Sequence, residues 1–112
     1  MDDILSYQST RGNDSGLSFD EALLSGLARD GGLYMPNHWP KFSYQEITQM
    51  KNLDYISLAE RVIRPFVSQN LKKKIGLISK KVYENFNHAE KAPLIELDNN
   101  FYVMELFHGP TL

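Results

Sequence analysis

Two patterns in the sequence predict an α+β fold, with about four helices and a small antiparallel sheet that includes a C-terminal hairpin. Apolar residues recur at helical spacing in several segments between residues 19 and 86. Two β-rich runs, 94–97 and 101–106, then flank a turn of Asp98, Asn99 and Asn100, which is the pattern of a hairpin. The chain has 112 residues, the size of one domain, so residues 1–112 are interpreted as a single unit.

The first predicted elements are a short strand and a clearly marked helix. Leu5 and Tyr7 alternate with polar neighbours, which indicates a strand within residues 4–10. Ser18 followed by Glu21 is the spacing of a capping box, in which each side chain accepts from a backbone N–H of the first helical turn. The inward stripe of this helix is predicted to consist of Phe19, Ala22, Leu23, Gly26 and Leu27.

The stretch Asp30-Gly31-Gly32 is interpreted as the stop of this first helix. Glycine adopts positive φ without strain and therefore commonly ends helices. A phosphate-binding loop is the alternative, but the stretch lacks the glycine spacing and the Lys-Ser/Thr pair of such loops. A helix carboxyl end also repels anions.

Two further helices are predicted in the middle of the chain. Ser43 and Glu46 repeat the capping-box spacing and open a short helix with Ile47 and Met50 inward. Pro65 lacks an N–H, so the next helix is expected to end or kink near Ile63 or Arg64. Its apolar positions are Tyr55, Leu58, Ala59, Val62, Ile63 and Phe66.

A fourth helix is predicted to begin with Asn70 as its cap and to carry a basic outer face. Its inward residues are expected to be Leu71, Ile75, Ile78 and Val82. The five lysines of the outer face are Lys72, Lys73, Lys74, Lys80 and Lys81. Aromatic residues fall on the opposite, apolar face, so the lysines are interpreted as a solvated surface rather than a nucleic-acid site.

The amino-acid composition argues against several kinds of function. Twelve basic and fourteen acidic residues give a net charge of −2, which supplies no overall field for nucleic acid or an anionic membrane. A membrane span would need about 20 consecutive apolar residues, and none is expected. Cysteine is absent, so disulfides and thiolate metal sites are excluded, and a cytoplasmic location is expected.

The most function-like cluster is His108 beside Gly109, Pro110 and Thr111, directly after the last strand. Glycine lets backbone approach a ligand closely, while histidine and threonine offer a proton carrier and a hydroxyl. Such turns also occur as plain connections. The histidines lie far apart in sequence and form no His-x-x-x-His pair, so no metal site is predicted.

Arg11, within Ser9-Thr10-Arg11-Gly12, is a candidate anion contact. A guanidinium binds phosphate or carboxylate with two parallel hydrogen bonds, and a neighbouring glycine exposes backbone N–H groups. The alternative is a structural arginine paired with a carboxylate.

Three stretches in the same order and spacing resemble the amino-terminal domain of threonine synthases. They are 9–12, 28–36 (ARDGGLYMP) and 106–112 (LFHGPTL). In that family the last stretch leads into Ala-Phe-Lys-Asp, whose lysine holds pyridoxal phosphate. The resemblance therefore implies a chain that ends just before this lysine and lacks the catalytic cofactor domain.

The resemblance implies, for the intact protein, a pyridoxal-phosphate-dependent carbon-oxygen lyase of threonine biosynthesis that converts O-phospho-homoserine and water to threonine and phosphate. It places His108, Gly109 and Thr111 beside cofactor or substrate and no catalytic residue within 1–112. The chain alone is expected to bind no cofactor, to be inactive and to pack against the catalytic domain. Two alternatives stay open: a related phospho-lyase with another substrate, and a non-enzymatic protein-interaction module.

Overall fold

A computed structural model describes residues 5–110, which form five helices and two separate two-stranded antiparallel sheets. The predicted α+β class and the C-terminal hairpin are confirmed. In chain order the elements are β1 (Tyr7–Ser9), α1 (Phe19–Ser25), β2 (Tyr34–Pro36), α2 (Tyr44–Met50), α3 (Tyr55–Ile63), a 3-10 turn (Arg64–Phe66), α4 (Gln69–Lys72), α5 (Ile75–Tyr83), β3 (Leu94–Asp98) and β4 (Phe101–Met104).

The first sheet joins β1 to β2. Tyr7 lies opposite Pro36 and Ser9 opposite Tyr34. Tyr7 and Ser9 are buried while Gln8 between them is exposed, as strand alternation requires. The Tyr7 hydroxyl donates to the carbonyl of Phe66 at 2.5 Å, which ties this sheet to the helical body.

Both predicted capping boxes are present. The N–H of Glu21 donates to Ser18 Oγ at 3.2 Å, and the N–H of Ser18 donates to the Glu21 carboxylate at 2.8 Å. Ser43 and Glu46 make the same two bonds at 3.2 Å and 2.7 Å. The starts of α1 and α2 are therefore fixed by local sequence, because each bond lies within four consecutive residues.

The predicted end of α1 is wrong. The helix ends at Ser25, and Gly26 is its cap with φ of 74°. The turn Asp30-Gly31-Gly32 comes later and leads into β2. The inward stripe is also only partly right, since Ala22 is buried but Leu23 and Leu27 are 63% and 64% exposed.

The predicted stop of α3 is confirmed, but the single fourth helix is not. The helix α3 ends at Ile63, and Pro65 lies in the 3-10 turn that follows. The structure then has two helices, α4 with Ser68 rather than Asn70 as its cap, and α5 after a break.

The buried face of α5 is centred on Ile75 and Ser79, while Ile78 is 39% and Val82 is 50% exposed. Gly76 lies close to α3, since an added Cβ would meet the Glu60 carboxylate at 2.6 Å. The face that α5 buries therefore differs from the one that its apolar spacing predicts.

The second sheet is the predicted hairpin. Leu94 pairs with Met104 and Ile95 with Val103, with a register shift between Glu96 and Asp98. Asn100 adopts φ of 58° in the turn, a conformation that asparagine tolerates better than most residues. Every residue of β3 and β4 is exposed, so these described residues leave both faces of the hairpin open.

The described chain leaves an unusually large surface open. Its accessible area is 8958 Å², against about 6,300 Å² for a monomer of its mass. The radius of gyration is 16.6 Å, against about 13 Å for a domain of its length. No large side chain among residues 5–110 is completely buried. No helix in this range is long and apolar enough to cross a membrane.

Candidate functional site

The candidate site is the loop of residues 105–110 that follows β4. His108 Nε2 lies 2.9 Å from Glu105 Oε1, and the side chains are 16% and 27% exposed. A carboxylate accepts only, so Nε2 carries a proton in this pair. In the neutral ring the lone pair then resides on Nδ1, which is the atom able to accept a proton.

The connection between α5 and β3 packs against this loop. The Asn87 N–H donates to the carbonyl of His108 at 2.8 Å. The ring of His88 lies on the ring of His108, with centroids 4.8 Å apart. A Cβ on Gly109 would lie 2.8 Å from Phe86 Cζ, so glycine is required for the backbone to approach this ring so closely.

Aromatic contacts anchor the loop to the helical body. Phe86 packs on Tyr83 with ring centroids 4.8 Å apart, and Tyr83 packs on Tyr55 of α3 at 4.9 Å. Burial, and then the neighbouring Tyr55, raise the pKa of Tyr83, so its hydroxyl stays neutral at physiological pH. The loop is thus supported by a row of rings that begins on α3.

A second polar network surrounds the candidate Arg11. The Asp30 carboxylate accepts from Ser9 Oγ at 2.6 Å, from the Gly32 N–H at 2.9 Å and from the Asn13 N–H at 3.0 Å. Arg11 Nη1 donates to the carbonyl of Asp30 at 2.9 Å. Asp30 is therefore the residue that joins β1, the loop after it and β2, and its interpretation as a helix stop is corrected.

These contacts lower the pKa of the Asp30 carboxyl. The hydrogen bond from Ser9 is the main cause, followed by those from Gly32 and Asn13, with a smaller contribution from the charge of Arg11. Each of them favours the charged carboxylate. The network is thus intact at neutral pH and sensitive to acid.

We expect acid to weaken this network. The Asp30 pKa is lower in the folded chain than its ordinary value of 3.8, so its stabilising effect is complete above that value. The effect is lost as pH falls through the folded pKa. Urea unfolding followed by circular dichroism measures the free energy of unfolding at each pH. In Asp30→Asn this free energy should decrease less as the pH falls. Glu84→Gln, at the exposed end of α5, should show the same decrease as the unchanged chain. If the free energy of unfolding depended on pH in the same way for Asp30→Asn and for the unchanged chain, Asp30 would not be the source of the acid sensitivity.

The structure brings some of the candidate residues together. His108 and Gly109 share one loop, and Thr111 lies outside the described residues. Arg11 binds a backbone carbonyl rather than a carboxylate, and no hydrogen bond or ion pair within residues 5–110 joins it to the His108 loop. Two contributors were missed: Glu105, whose spacing of three from His108 was a usable signal, and His88, whose contact is long-range.

Metal binding has no visible site in the described part of the chain. No group of three or more His, Cys, Asp or Glu side chains among residues 5–110 is arranged to hold an ion. The His88 and His108 rings contact each other with their planes tilted by 48°.

Comparisons with known proteins converge on one family. A family model described as the threonine synthase N terminus matches residues 6–83. Threonine synthase of Pseudomonas aeruginosa is 47% identical over 107 residues, which cover 95% of this chain and 23% of that protein. Threonine synthase-like 2 of Homo sapiens is 35% identical over 107 residues, covering 94% and 22%.

A solved structure of a threonine synthase is also similar to this chain. The crystal structure of threonine synthase from Brucella melitensis with bound pyridoxal phosphate superposes with a TM-score of 0.85 at 39% identity, covering 95% of this chain and 23% of that one. The chain thus spans less than a quarter of the length of these relatives.

Proposed function

This chain belongs to the threonine synthase family, and we propose that it forms the amino-terminal domain of an enzyme that converts O-phospho-homoserine and water to threonine and phosphate. Residues 1–112 make up this domain, and the domain that carries the cofactor lies outside them. The observation that supports this most is the agreement of sequence and fold with threonine synthases over nearly the whole chain.

The intact enzyme is proposed to be a pyridoxal-phosphate-dependent carbon-oxygen lyase acting on phosphates. When bound, the cofactor supplies an electron sink for the reacting carbon atoms. The described loop suits one wall of such a site, because Gly109 lets its backbone pack closely on Phe86 and a carboxylate holds His108. Residues 105–110 contain no lysine, so the lysine that carries the cofactor comes from elsewhere.

His108 is proposed to handle a proton at this wall. Glu105 orients the ring through Nε2 and stabilises the charged form of the imidazole. Nδ1 then accepts a proton from the substrate or from water and returns it. Gly109 and Thr111 are proposed to border the same site.

Arg11 is proposed to contact an anionic group of the substrate. Its Nη1 is bound to the Asp30 carbonyl, which leaves the other N–H groups of the guanidinium for a phosphate or carboxylate. Gly31 permits this placement, since an added Cβ would lie 2.8 Å from Nη1.

The test is an assay of the complete gene product with O-phospho-homoserine, with and without pyridoxal phosphate. We expect equal amounts of threonine and phosphate, only with the cofactor, and no activity from residues 1–112 alone. The similarity to human threonine synthase-like 2 supports a second candidate, a related phospho-lyase with another substrate. Phosphate release from a different phosphorylated amino acid, with neither product from O-phospho-homoserine, would favour that candidate and contradict the proposal.

The proposal also assigns a partner to the open apolar surface, namely the cofactor-bearing domain. On the hairpin, Leu97 is 62% and Phe101 is 60% exposed, and unpaired strand edges readily pair with other chains. We therefore expect residues 1–112 alone to self-associate, as measured by size-exclusion chromatography with light scattering.

Charged substitutions on the hairpin should relieve this association. Leu97→Lys with Phe101→Lys is expected to shift the isolated chain toward monomer. The control is Gln69→Lys with Asn70→Lys, which adds the same two charges at exposed positions of α4. A wild-type chain that stays monomeric at high concentration would contradict the assigned partner.

A further inference from the structure

We propose that residues 86–88, in the connection between α5 and β3, position His108 for proton transfer, with His88 as the decisive side chain. This inference rests on the proposed function, because it concerns the same loop. It adds a positioning element from a different part of the chain.

Three consecutive residues of this connection each contact the loop. The Phe86 ring packs on the Gly109 backbone, the Asn87 N–H donates to the His108 carbonyl at 2.8 Å, and the His88 ring contacts the His108 ring with centroids 4.8 Å apart. Contacts to two neighbouring backbone units and one ring fix the location of the loop as well as the plane of its imidazole. A plain chain connection needs only its own turn hydrogen bonds.

His88 is itself held in one orientation. Its Nδ1 accepts from the Glu90 N–H at 3.1 Å, and its carbonyl accepts from the Lys91 N–H at 3.0 Å. Lys91 adopts φ of 63°, in the left-handed region that residues other than glycine seldom occupy. Such conformations persist where surrounding contacts determine them, and they cluster at functional sites.

His108 is therefore constrained on several sides. Glu105 Oε1 lies 2.9 Å from Nε2, and the rings of Phe107 and His88 contact the imidazole with centroids 4.6 Å and 4.8 Å away. Phe107 belongs to the loop itself, so His88 is the ring that ties the imidazole to another part of the chain. Without the His88 ring, the loop and its imidazole can shift together and lose their alignment with the substrate.

The test compares His88→Ala with His88→Phe in the complete enzyme. Loss of the ring should lower kcat by about 10-fold to 100-fold, as misplacement of a reacting group by about 1 Å does, with KM little changed. Phenylalanine keeps a flat ring and should restore most of kcat. Asn85→Ala, at an exposed neighbouring position, is the matched control and should behave as the unchanged enzyme.

A second readout does not depend on activity. Nitrogen NMR shifts of His108 in the complete protein, labelled at histidine, report which ring nitrogen carries the proton. We expect the Nε2-protonated form in the unchanged protein and in His88→Phe, and a mixture of forms in His88→Ala.

The outcomes separate the two proposals. Unchanged kcat and unchanged His108 tautomer in His88→Ala would overturn the positioning role, as would a loss of activity in His88→Phe equal to that in His88→Ala. An unchanged protein that makes no threonine would instead contradict the proposed function, and the NMR comparison would still decide the positioning role.

Discussion

Replacing His108 with phenylalanine is expected to lower kcat of the complete enzyme by about 100-fold to 10,000-fold, the usual contribution of a general acid or base. Phenylalanine keeps the ring contact with His88 but has no nitrogen to face Glu105 or the substrate. The loss should fall on kcat and kcat/KM alike, because proton transfer matters only in the transition state. Steady-state kinetics with O-phospho-homoserine measures both.

Glu105→Gln is expected to lower kcat less than His108→Phe does. Glutamine can still accept the Nε2 hydrogen bond but no longer stabilises a charged imidazole, so its loss should be smaller than that of His108→Phe. A His108→Phe enzyme with kcat close to the unchanged value would contradict a proton-handling role.

Replacing Gly32 with alanine destabilises the chain by about 3 kcal/mol, at the upper end of typical overpacking costs. The new Cβ would overlap Ser9 Oγ and would lie 2.9 Å from Thr10 Oγ1. Ser9 Oγ donates to Asp30 at 2.6 Å and Thr10 Oγ1 accepts from the Leu33 N–H at 3.0 Å, so neither hydroxyl can move without breaking a hydrogen bond. Urea unfolding at neutral pH measures the effect.

Two variants make this prediction specific. Gly12→Ala places a Cβ in open space at φ of 82°. Its free energy of unfolding should therefore fall only by the backbone strain, about 1–2 kcal/mol. Ser9→Ala removes the overlapping hydroxyl, so Ser9→Ala with Gly32→Ala should be more stable than the sum of the single effects predicts. Strict additivity would show that the steric account of Gly32 is wrong.

Local signals in the sequence predicted two helix starts and one helix stop correctly. The pairs Ser18 with Glu21 and Ser43 with Glu46 form complete capping boxes, and α3 ends just before Pro65. The hairpin turn at Asp98 to Asn100 is where the sequence places it. All of these depend on contacts within a few residues, which a single sequence displays directly.

Burial could not be predicted in the same way. Leu23, Leu27 and Ile47 have the spacing of inward residues, yet all three are more than half exposed. Apolar residues at helical spacing indicate which face of a helix is to be buried. They do not indicate whether the surface that buries it belongs to the same part of the chain. In α5 the close approach of Glu60 to Gly76 depends on a pairing of helices that no local pattern reveals.

The candidate site was predictable in part for the same reason. His108 and Gly109 stand out as a polar turn after a strand, but His88 is distant in sequence and becomes a neighbour only through the packing of the connection onto the loop. Arg11 was identified as a polar candidate, whereas the role of Asp30 as its support required the pairing of β1 with β2.

The most direct test of the central claim is to locate the cofactor in the complete protein. The protein is loaded with pyridoxal phosphate, reduced with borohydride to fix the cofactor to its lysine, digested and analysed by mass spectrometry. We expect a modified lysine just beyond Leu112, within Ala-Phe-Lys-Asp or a close variant, and none within residues 1–112. Modification of a lysine inside residues 1–112, or no specific modification at all, would contradict it.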